Sequence, residues 1–259
     1  MKRICIFGNS HVSAISQGVE ALKAKGLLEK VDITMFASSS DSIRNCEVKN
    51  GVVSTPDKSV QRSFERSSGG LSEIKIEDYD EFFIHMGVPL SSLHQLWIGE
   101  PESPYFDLPQ HSEGLISEIV NDMMTKRWHM KLAHEISMKR PTTFVGAPYK
   151  SEADPRSKAI LEKIKGSDTD IAQRIIHTRQ MIDQCLQSVN GGQLTFKYPP
   201  SNLLEKYRLF TKHEYCRGSR RALSSNTEHQ EDDFSHMNAA YGEALVRNFM
   251  VRESATVNV

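Results

Sequence analysis

The chain lacks the features that mark several classes of protein. It has no apolar run long enough to cross a bilayer, so we expect no membrane span. Its 32 Lys and Arg residues balance 33 Asp and Glu residues, so we expect no chain-wide basic surface for nucleic acid. The N-terminus carries only a short apolar run and no cleavage site of a secretory signal, which predicts a cytoplasmic protein.

Patterns for cofactors and metals are also missing. The four cysteines are widely spaced without a CxxC pair, and we expect reduced thiols. His129 and His134 stand five residues apart, whereas a zinc-protease helix needs a four-residue step, so we expect no metal. The segment after Gly8 has neither a Gly-Lys-Ser/Thr ending nor the glycines of a dinucleotide fingerprint. The sequence therefore predicts no bound cofactor.

Short apolar runs alternate with segments of helical periodicity along the whole chain. Such runs are typical of buried parallel strands, and they occupy residues 3–7, 31–37, 82–87, 142–146 and 193–198. We predict an α/β fold in one domain, residues 1–259, with three α/β/α layers around a parallel five-stranded sheet. Ligands of such sheets bind at the carboxyl ends of the strands, so functional residues are expected there.

The segments between these strands are predicted as helices, loops and insertions. Val12, Ile15, Val19 and Leu22 recur at helical steps, and Gly26 is a plausible stop. The Asn50-Gly51 pair between β-branched residues predicts a hairpin insertion. The other predicted helices are 112–139, 156–190 and 238–251, and the predicted loops are 67–70, 99–111 and 217–232.

The first candidate for chemistry is Gly8-Asn9-Ser10-His11, where the first strand turns into the first helix. A serine at a helix N-terminus lies beside free backbone N–H groups and the positive end of the helix dipole. These features suit a nucleophile whose carbonyl substrate becomes an oxyanion. The alternative is that Ser10 or Asn9 simply caps the helix.

The second candidate is Asp233-Phe234-Ser235-His236, just before the last predicted helix. A short turn can hold the Asp233 carboxylate against one nitrogen of the His236 imidazole while the other nitrogen faces outward. This is the base-plus-orienter arrangement that a nucleophilic serine needs. The alternative is a capping turn in which Asp233 or Asn238 binds backbone N–H groups.

Together the two blocks resemble the SGNH/GDSL superfamily of serine esterases and O-acyltransferases. In that family the serine follows the first strand in a Gly-Asp-Ser or Gly-Asn-Ser block, and an Asp-x-x-His block comes near the C-terminus, commonly followed by Asn-Ala-x-Gly. Residues 8–11 and 233–242 match both blocks in the right order. The resemblance implies Ser10 as nucleophile, His236 as general base and Asp233 as its orienter, with Asp232 off by one position.

The family's oxyanion hole is matched only in part. The resemblance implies a glycine N–H after the second strand region, for which Gly69 or Gly70 is the candidate, and a Gly-x-Asn-Asp block after the third strand. Gly87 fits that block, but Pro89 stands where the Asn should be and offers no donor. Another group would have to replace that donor, and the candidates are His85, His11 and Asn9.

The resemblance implies an acyl-ester hydrolase or O-acyltransferase, O-acetyl above all, acting on a carbohydrate or related small ester. A branch associated with polysaccharide biosynthesis is favoured by Tyr198-Pro199-Pro200 and Phe210-Thr211. Its partner would be a small-molecule or glycan substrate, and acyl-CoA would be the co-substrate of a transferase. Two alternatives stay open: a glycan- or small-ligand-binding protein on the same fold with little or no catalysis, and an unrelated α/β protein such as a nucleotide-sugar-binding enzyme.

Overall fold

The computed structural model describes residues 1–39, 42–87, 111–165, 171–189, 192–220 and 227–250. The strands in these ranges are β1 (Lys2–Gly8), β2 (Val31–Ala37), β3 (Glu47–Lys49), β4 (Val52–Ser54), β5 (Ile74–Lys75), β6 (Glu81–Met86), β7 (Thr142–Gly146) and β8 (Leu194–Lys197). The α-helices in the same ranges are α1 (Val12–Ala24), α2 (Lys58–Ser68), α3 (Glu113–Thr125), α4 (Trp128–Ser137), α5 (Pro155–Lys165), α6 (Ile171–Val189) and α7 (Ala239–Phe249).

The main sheet has five parallel strands in the order β2-β1-β6-β7-β8. Its strands are the five predicted from the apolar runs, and their ends differ from the predicted ones by at most one residue. Strand β1 lies between β2 and β6, and its last residue, Gly8, pairs with Ala37 of β2 and with His85 of β6. The carboxyl ends of these three strands therefore lie side by side.

Helices cover both faces of this sheet, which confirms the predicted three-layer α/β/α fold. Side chains alternate along a strand, so Cys5 and Phe7 of β1 enter one core while Ile4 and Ile6 enter the other. The first core is closed by α2 to α6, and the second by α1 and α7. The four predicted apolar positions of α1 are all buried in the second core.

The predicted hairpin insertion is present. Strands β3 and β4 pair antiparallel around Asn50 and Gly51, which have φ values of 52° and 81°. Two positive φ values in a two-residue turn are what a hairpin of this kind requires, and Asn-Gly adopts them at little cost. Strand β5 extends the hairpin to a small three-stranded sheet.

The helix predictions need two corrections. The segment 112–139 is two helices, α3 and α4, and not one. The predicted segment 156–190 is helical at α5 and α6, and residues 166–170 lie outside the described ranges. Ser67 and Ser68 end α2 and do not belong to a loop; that helix was missed because only Val60 and Phe64 give it an apolar face.

In the described ranges, none of the helices combines the length and the apolar character that a membrane crossing needs. The single-domain organisation stays a prediction.

Candidate active site

Ser10 follows the carboxyl end of β1, which ends in a glycine that the close approach of β6 requires. A Cβ atom at Gly8 would fall 2.0 Å from the carbonyl oxygen of His85, far inside van der Waals contact. Only glycine allows β1 and β6 to approach this closely while the chain turns toward α1. The turn then carries Asn9, Ser10 and His11 over the edge of the sheet.

Neither Ser10 nor Asn9 caps α1 with its side chain, because the N-cap residue is His11 and it receives no side-chain cap. Asn9 instead closes a turn just before the helix. The Oδ1 atom of Asn9 accepts the backbone N–H of His11 at 3.2 Å, and Asn9 is only 5% exposed. The carbonyl of Ser10 accepts the N–H of Ser13 at 3.1 Å, so the helix begins here. The contact of Asn9 is thus local, whereas the Ser10 hydroxyl contacts a residue from the last part of the chain.

The Ser10 Oγ lies 3.2 Å from the Nε2 atom of His236. The Nδ1 atom of the same imidazole lies 2.8 Å from Oδ2 of Asp233. A carboxylate only accepts hydrogen bonds, so Nδ1 carries a proton, and in the neutral imidazole Nε2 then has its lone pair toward Ser10. This is the tautomer in which His236 can accept the Ser10 proton.

The Asp233 carboxylate is held by several donors. Oδ1 accepts the Ser235 backbone N–H at 3.0 Å, the Ser235 hydroxyl at 2.8 Å and the His236 backbone N–H at 3.1 Å. Burial alone would raise the pKa of Asp233, but the hydrogen bonds from Ser235 and His236 outweigh it and hold that pKa well below its usual range. The predicted capping turn therefore exists, and the same carboxylate also binds the imidazole.

Helices α1 and α7 bring these two distant segments together. A Cβ atom at Gly242 would fall 1.8 Å from the Ala14 carbonyl oxygen, and one at Gly18 would fall 2.2 Å from the Glu243 nitrogen. The backbones of the two helices are therefore in direct contact. Because Ser10 and His236 each stand a few residues before one of these helices, their side chains meet above the sheet.

The N-terminus of α7 is fixed by Asn238, as its sequence position suggested. Its Oδ1 accepts the N–H of Tyr241 at 3.2 Å, and its amide donates to the carbonyls of Glu214 at 2.8 Å and Arg217 at 2.9 Å. These contacts tie the loop after residue 213 to the segment that carries His236.

His229 belongs to the site although sequence reasoning missed it. Its Nδ1 atom lies 2.8 Å from Oδ2 of Asp233, and its ring stacks on that of His236. Each of His229, Asp233 and His236 offers a ligand atom within 4.8 Å of the others, so these residues could hold a metal ion. His229 and Asp233 are four residues apart, a spacing that brings side chains together on a helix. The segment around them shows no helical periodicity, so the sequence did not predict their contact.

Two further histidines lie under the site. His85 is fully buried, and its Nδ1 lies 3.1 Å from the Val145 carbonyl, which only accepts. Burial lowers the pKa of His85 to about 4, so the ring is neutral and carries one proton. Nδ1 donates that proton to the Val145 carbonyl, and Nε2 has no hydrogen to donate. This argues against His85 as the substitute oxyanion donor.

His11 lies closer to the reacting groups. Its ring centroid is 5.4 Å from that of His236 and 6.1 Å from that of His85. Burial, with a smaller contribution from these two imidazoles, lowers the pKa of His11 to about 3. A neutral imidazole therefore stands beside Ser10, and its Nδ1 is buried without a hydrogen-bond partner in the described part of the chain.

Of the glycines expected in the oxyanion hole, Gly69 and Gly70 lie at the end of α2, whereas Gly87 lies after β6. The N–H groups of Gly69 and Gly70 both donate to the Glu65 carbonyl at the end of α2, so neither is directed at Ser10. Gly87 follows β6 at the correct edge of the sheet, and among the described residues no atom lies within 4 Å of the place of its missing Cβ. Pro89 and most of the predicted 99–111 excursion lie outside the described residues.

Comparison with known proteins gives distant likenesses of fold. No family model matches the chain, and no curated protein sequence matches it. A lipopolysaccharide acetyltransferase periplasmic domain from Salmonella ser. Paratyphi A aligns with a TM-score of 0.41 and 12% identity, over 95% of this chain and 82% of that one. An acetyl xylan esterase from the rumen bacterium Butyrivibrio proteoclasticus aligns with a TM-score of 0.35 and 8% identity, over 95% of this chain and 64% of that one. These likenesses are too distant to bear on the activity of this chain.

Proposed function

We propose that the protein is a serine-dependent acyl-ester hydrolase or O-acyltransferase whose substrates are O-acetylated carbohydrates or related small esters. The observation that carries the proposal is the line of contacts from Ser10 Oγ through the His236 imidazole to the Asp233 carboxylate. Local turns explain the contacts of Asn9 and of Asp233 Oδ1, but they do not require the Ser10 hydroxyl to contact His236.

The reaction would begin with attack of Ser10 Oγ on the acyl carbonyl carbon, while His236 Nε2 takes the hydroxyl proton. The Asp233 carboxylate stabilises the imidazolium that forms and keeps its ring in place. The tetrahedral intermediate then collapses: the bond to the leaving alcohol or thiol breaks, and His236 returns the proton to it. The acyl group remains as an ester on Ser10.

The negative charge on the intermediate needs donors at the start of α1. We assign the first to the Ser10 backbone N–H, which lies at the positive end of the helix dipole. For the second we favour the neutral His11 imidazole, with the Asn9 amide and the Gly87 N–H as the other expected donors near this edge. Removal of one such donor typically costs about 3 kcal/mol of transition-state stabilisation.

The acceptor decides between the two reactions. Water activated by His236 would release the acid, and a sugar hydroxyl activated in the same way would receive the acyl group. An acyl-CoA thioester is the donor we propose for a transferase, since a thiolate leaves readily. Both reactions share every step up to the acyl-serine.

The test is turnover by the purified chain with 4-nitrophenyl acetate, and with acetyl-CoA plus a range of sugars. Ser10→Ala and His236→Ala are each expected to lower kcat/KM by about 10³-fold or more. Ser16→Ala, on the same helix, is the matched control and should behave like the parent. A parent rate that Ser10→Ala leaves unchanged would refute the proposal. A folded parent that binds an acetylated glycan without turning over any ester would favour the binding-protein alternative.

A further inference from the structure

Asp233 contacts a second imidazole that the reaction as proposed does not use. The Nδ1 atoms of His229 and His236 each lie 2.8 Å from the same oxygen, Oδ2 of Asp233. A contact of this length is attractive only when Nδ1 carries a proton, because the carboxylate is an acceptor. The side chain of His229 is 13% exposed, so water screens this contact weakly.

The two imidazoles are also stacked. Their ring centroids are 4.1 Å apart, and their planes differ by 10°. One face of the His236 ring is therefore covered by a parallel ring, which limits rotation of His236 about its side-chain bonds. Free rotation would move Nε2 away from the Ser10 hydroxyl.

His229 itself is held by the main chain. Its backbone N–H donates to the Ser219 carbonyl at 2.7 Å, and the neighbouring Arg220 and Glu228 form an antiparallel bridge. The Ser13 hydroxyl of α1 donates in turn to the Arg220 carbonyl at 3.3 Å. The support for His229 thus reaches back to the helix that follows Ser10.

We propose that His229 is a positioning residue, which fixes the Asp233 carboxylate through its Nδ1 proton and the plane of the His236 ring through stacking. The proposal rests on the function proposed above for its kinetic consequence, although its geometric part does not. Without His229, Oδ2 of Asp233 keeps one imidazole donor instead of two, and His236 gains rotamers that do not reach Ser10. Small displacements of this kind can cost up to about 100-fold in rate.

Three variants separate the two contributions. His229→Gln keeps a side-chain N–H for Asp233 but removes the ring, His229→Phe keeps the ring but removes the N–H, and His229→Ala removes both. The matched control is His177→Ala, which removes a histidine–carboxylate contact to Glu113 at 3.0 Å on α6, away from the site. EDTA is present throughout, so that no metal ion replaces the contact.

For each variant, steady-state kinetics and the His236 Nδ1–H resonance are measured, and the free energy of unfolding is measured as a control for folding stability. For His229→Ala we expect kcat to fall about 10- to 100-fold with KM nearly constant, with partial recovery in Gln or Phe. We also expect the downfield proton resonance of the His236 Nδ1–H to shift or broaden in the Ala variant. This resonance reports the Asp233 contact without any turnover, so it tests the geometric part even if the proposed function fails.

Two results would overturn the proposal. One is a His229→Ala variant whose kcat and Nδ1 resonance equal those of the parent. The other is a loss of kcat that neither Gln nor Phe recovers and that follows the loss of folding stability in all three variants, since that would make His229 a purely structural residue.

Discussion

The Nε2 atom of His236 lies 3.2 Å from the Ser10 hydroxyl, although the two residues are 226 positions apart in the chain. The contact depends on the two helices that follow them, α1 and α7, whose backbones touch at Gly18 and Gly242. The distance between the proposed nucleophile and its base is therefore set by helix packing as much as by the local turns.

Gly242→Ala should disturb this packing and the site together. The added methyl group would lie 1.8 Å from the Ala14 carbonyl oxygen, so α7 must move away from α1. We expect the free energy of unfolding to fall by about 1–3 kcal/mol. The rate of ester turnover by Ser10 should also fall, because Ser10 and His236 move apart. Urea unfolding and ester turnover measure the two effects.

The matched control is Gly114→Ala on α3, where no described atom lies within 4 Å of the new methyl group. It should leave both quantities near the parent values or raise stability slightly, because alanine favours a helix more than glycine does. Equal behaviour of the two variants would contradict the packing explanation.

Asp233→Asn should slow the reaction without removing the nucleophile. The Asn amide cannot hold the His236 Nδ1–H as a carboxylate does, so the ring loses the tautomer and the charge partner it needs. A fall in kcat of about 10³- to 10⁴-fold is expected from steady-state kinetics. Asp232→Asn, the exposed neighbouring carboxylate, is the control. If Asp232→Asn caused the larger loss, the assignment of the orienter would be wrong.

The buried His85 makes folding stability depend on pH. Burial lowers its pKa from 6.5 to about 4, so below pH 6.5 the unfolded chain binds a proton that the folded chain does not. The free energy of unfolding should therefore decrease as the pH falls from about 6.5 to about 4, by on the order of 3 kcal/mol from this residue.

His85→Gln offers an N–H to the Val145 carbonyl but does not titrate in this range. Urea unfolding of the variant between pH 7.5 and 4 should show a slope smaller than that of the parent by up to one proton. Identical slopes would show that His85 does not have the shifted pKa.

The sheet was predictable because its strands carry strong local signals. Each buried parallel strand is a short apolar run bounded by polar residues, glycine or proline, and the Asn50-Gly51 turn fixes its hairpin by local chemistry alone. Helix α2 gives no such signal, since most of its surface is polar and only Val60 and Phe64 pack inward. The break between α3 and α4 was also hidden, because no glycine or proline stands between Thr125 and Trp128.

Site residues could be predicted from the sequence only where they belong to short, recognisable motifs. Ser10, His236 and Asp233 were named from two such blocks, and the structure brings their side chains together. His229 was missed because its contacts with Asp233 and His236 depend on how a loop of no periodicity folds back on Ser219. The N–H groups of Gly69 and Gly70 bind the last turn of α2. The sequence did not predict this, because it did not predict the helix.

The most direct measurement of the central claim is the rate at which a small fluorophosphonate modifies Ser10, with the adduct located by mass spectrometry. We predict rapid modification at Ser10 in the parent, at least about 100-fold slower modification in His236→Ala, and no adduct at this position in Ser10→Ala. Equal and slow modification of the parent and of His236→Ala would contradict the claim, because the Ser10 hydroxyl would then gain no reactivity from the imidazole beside it.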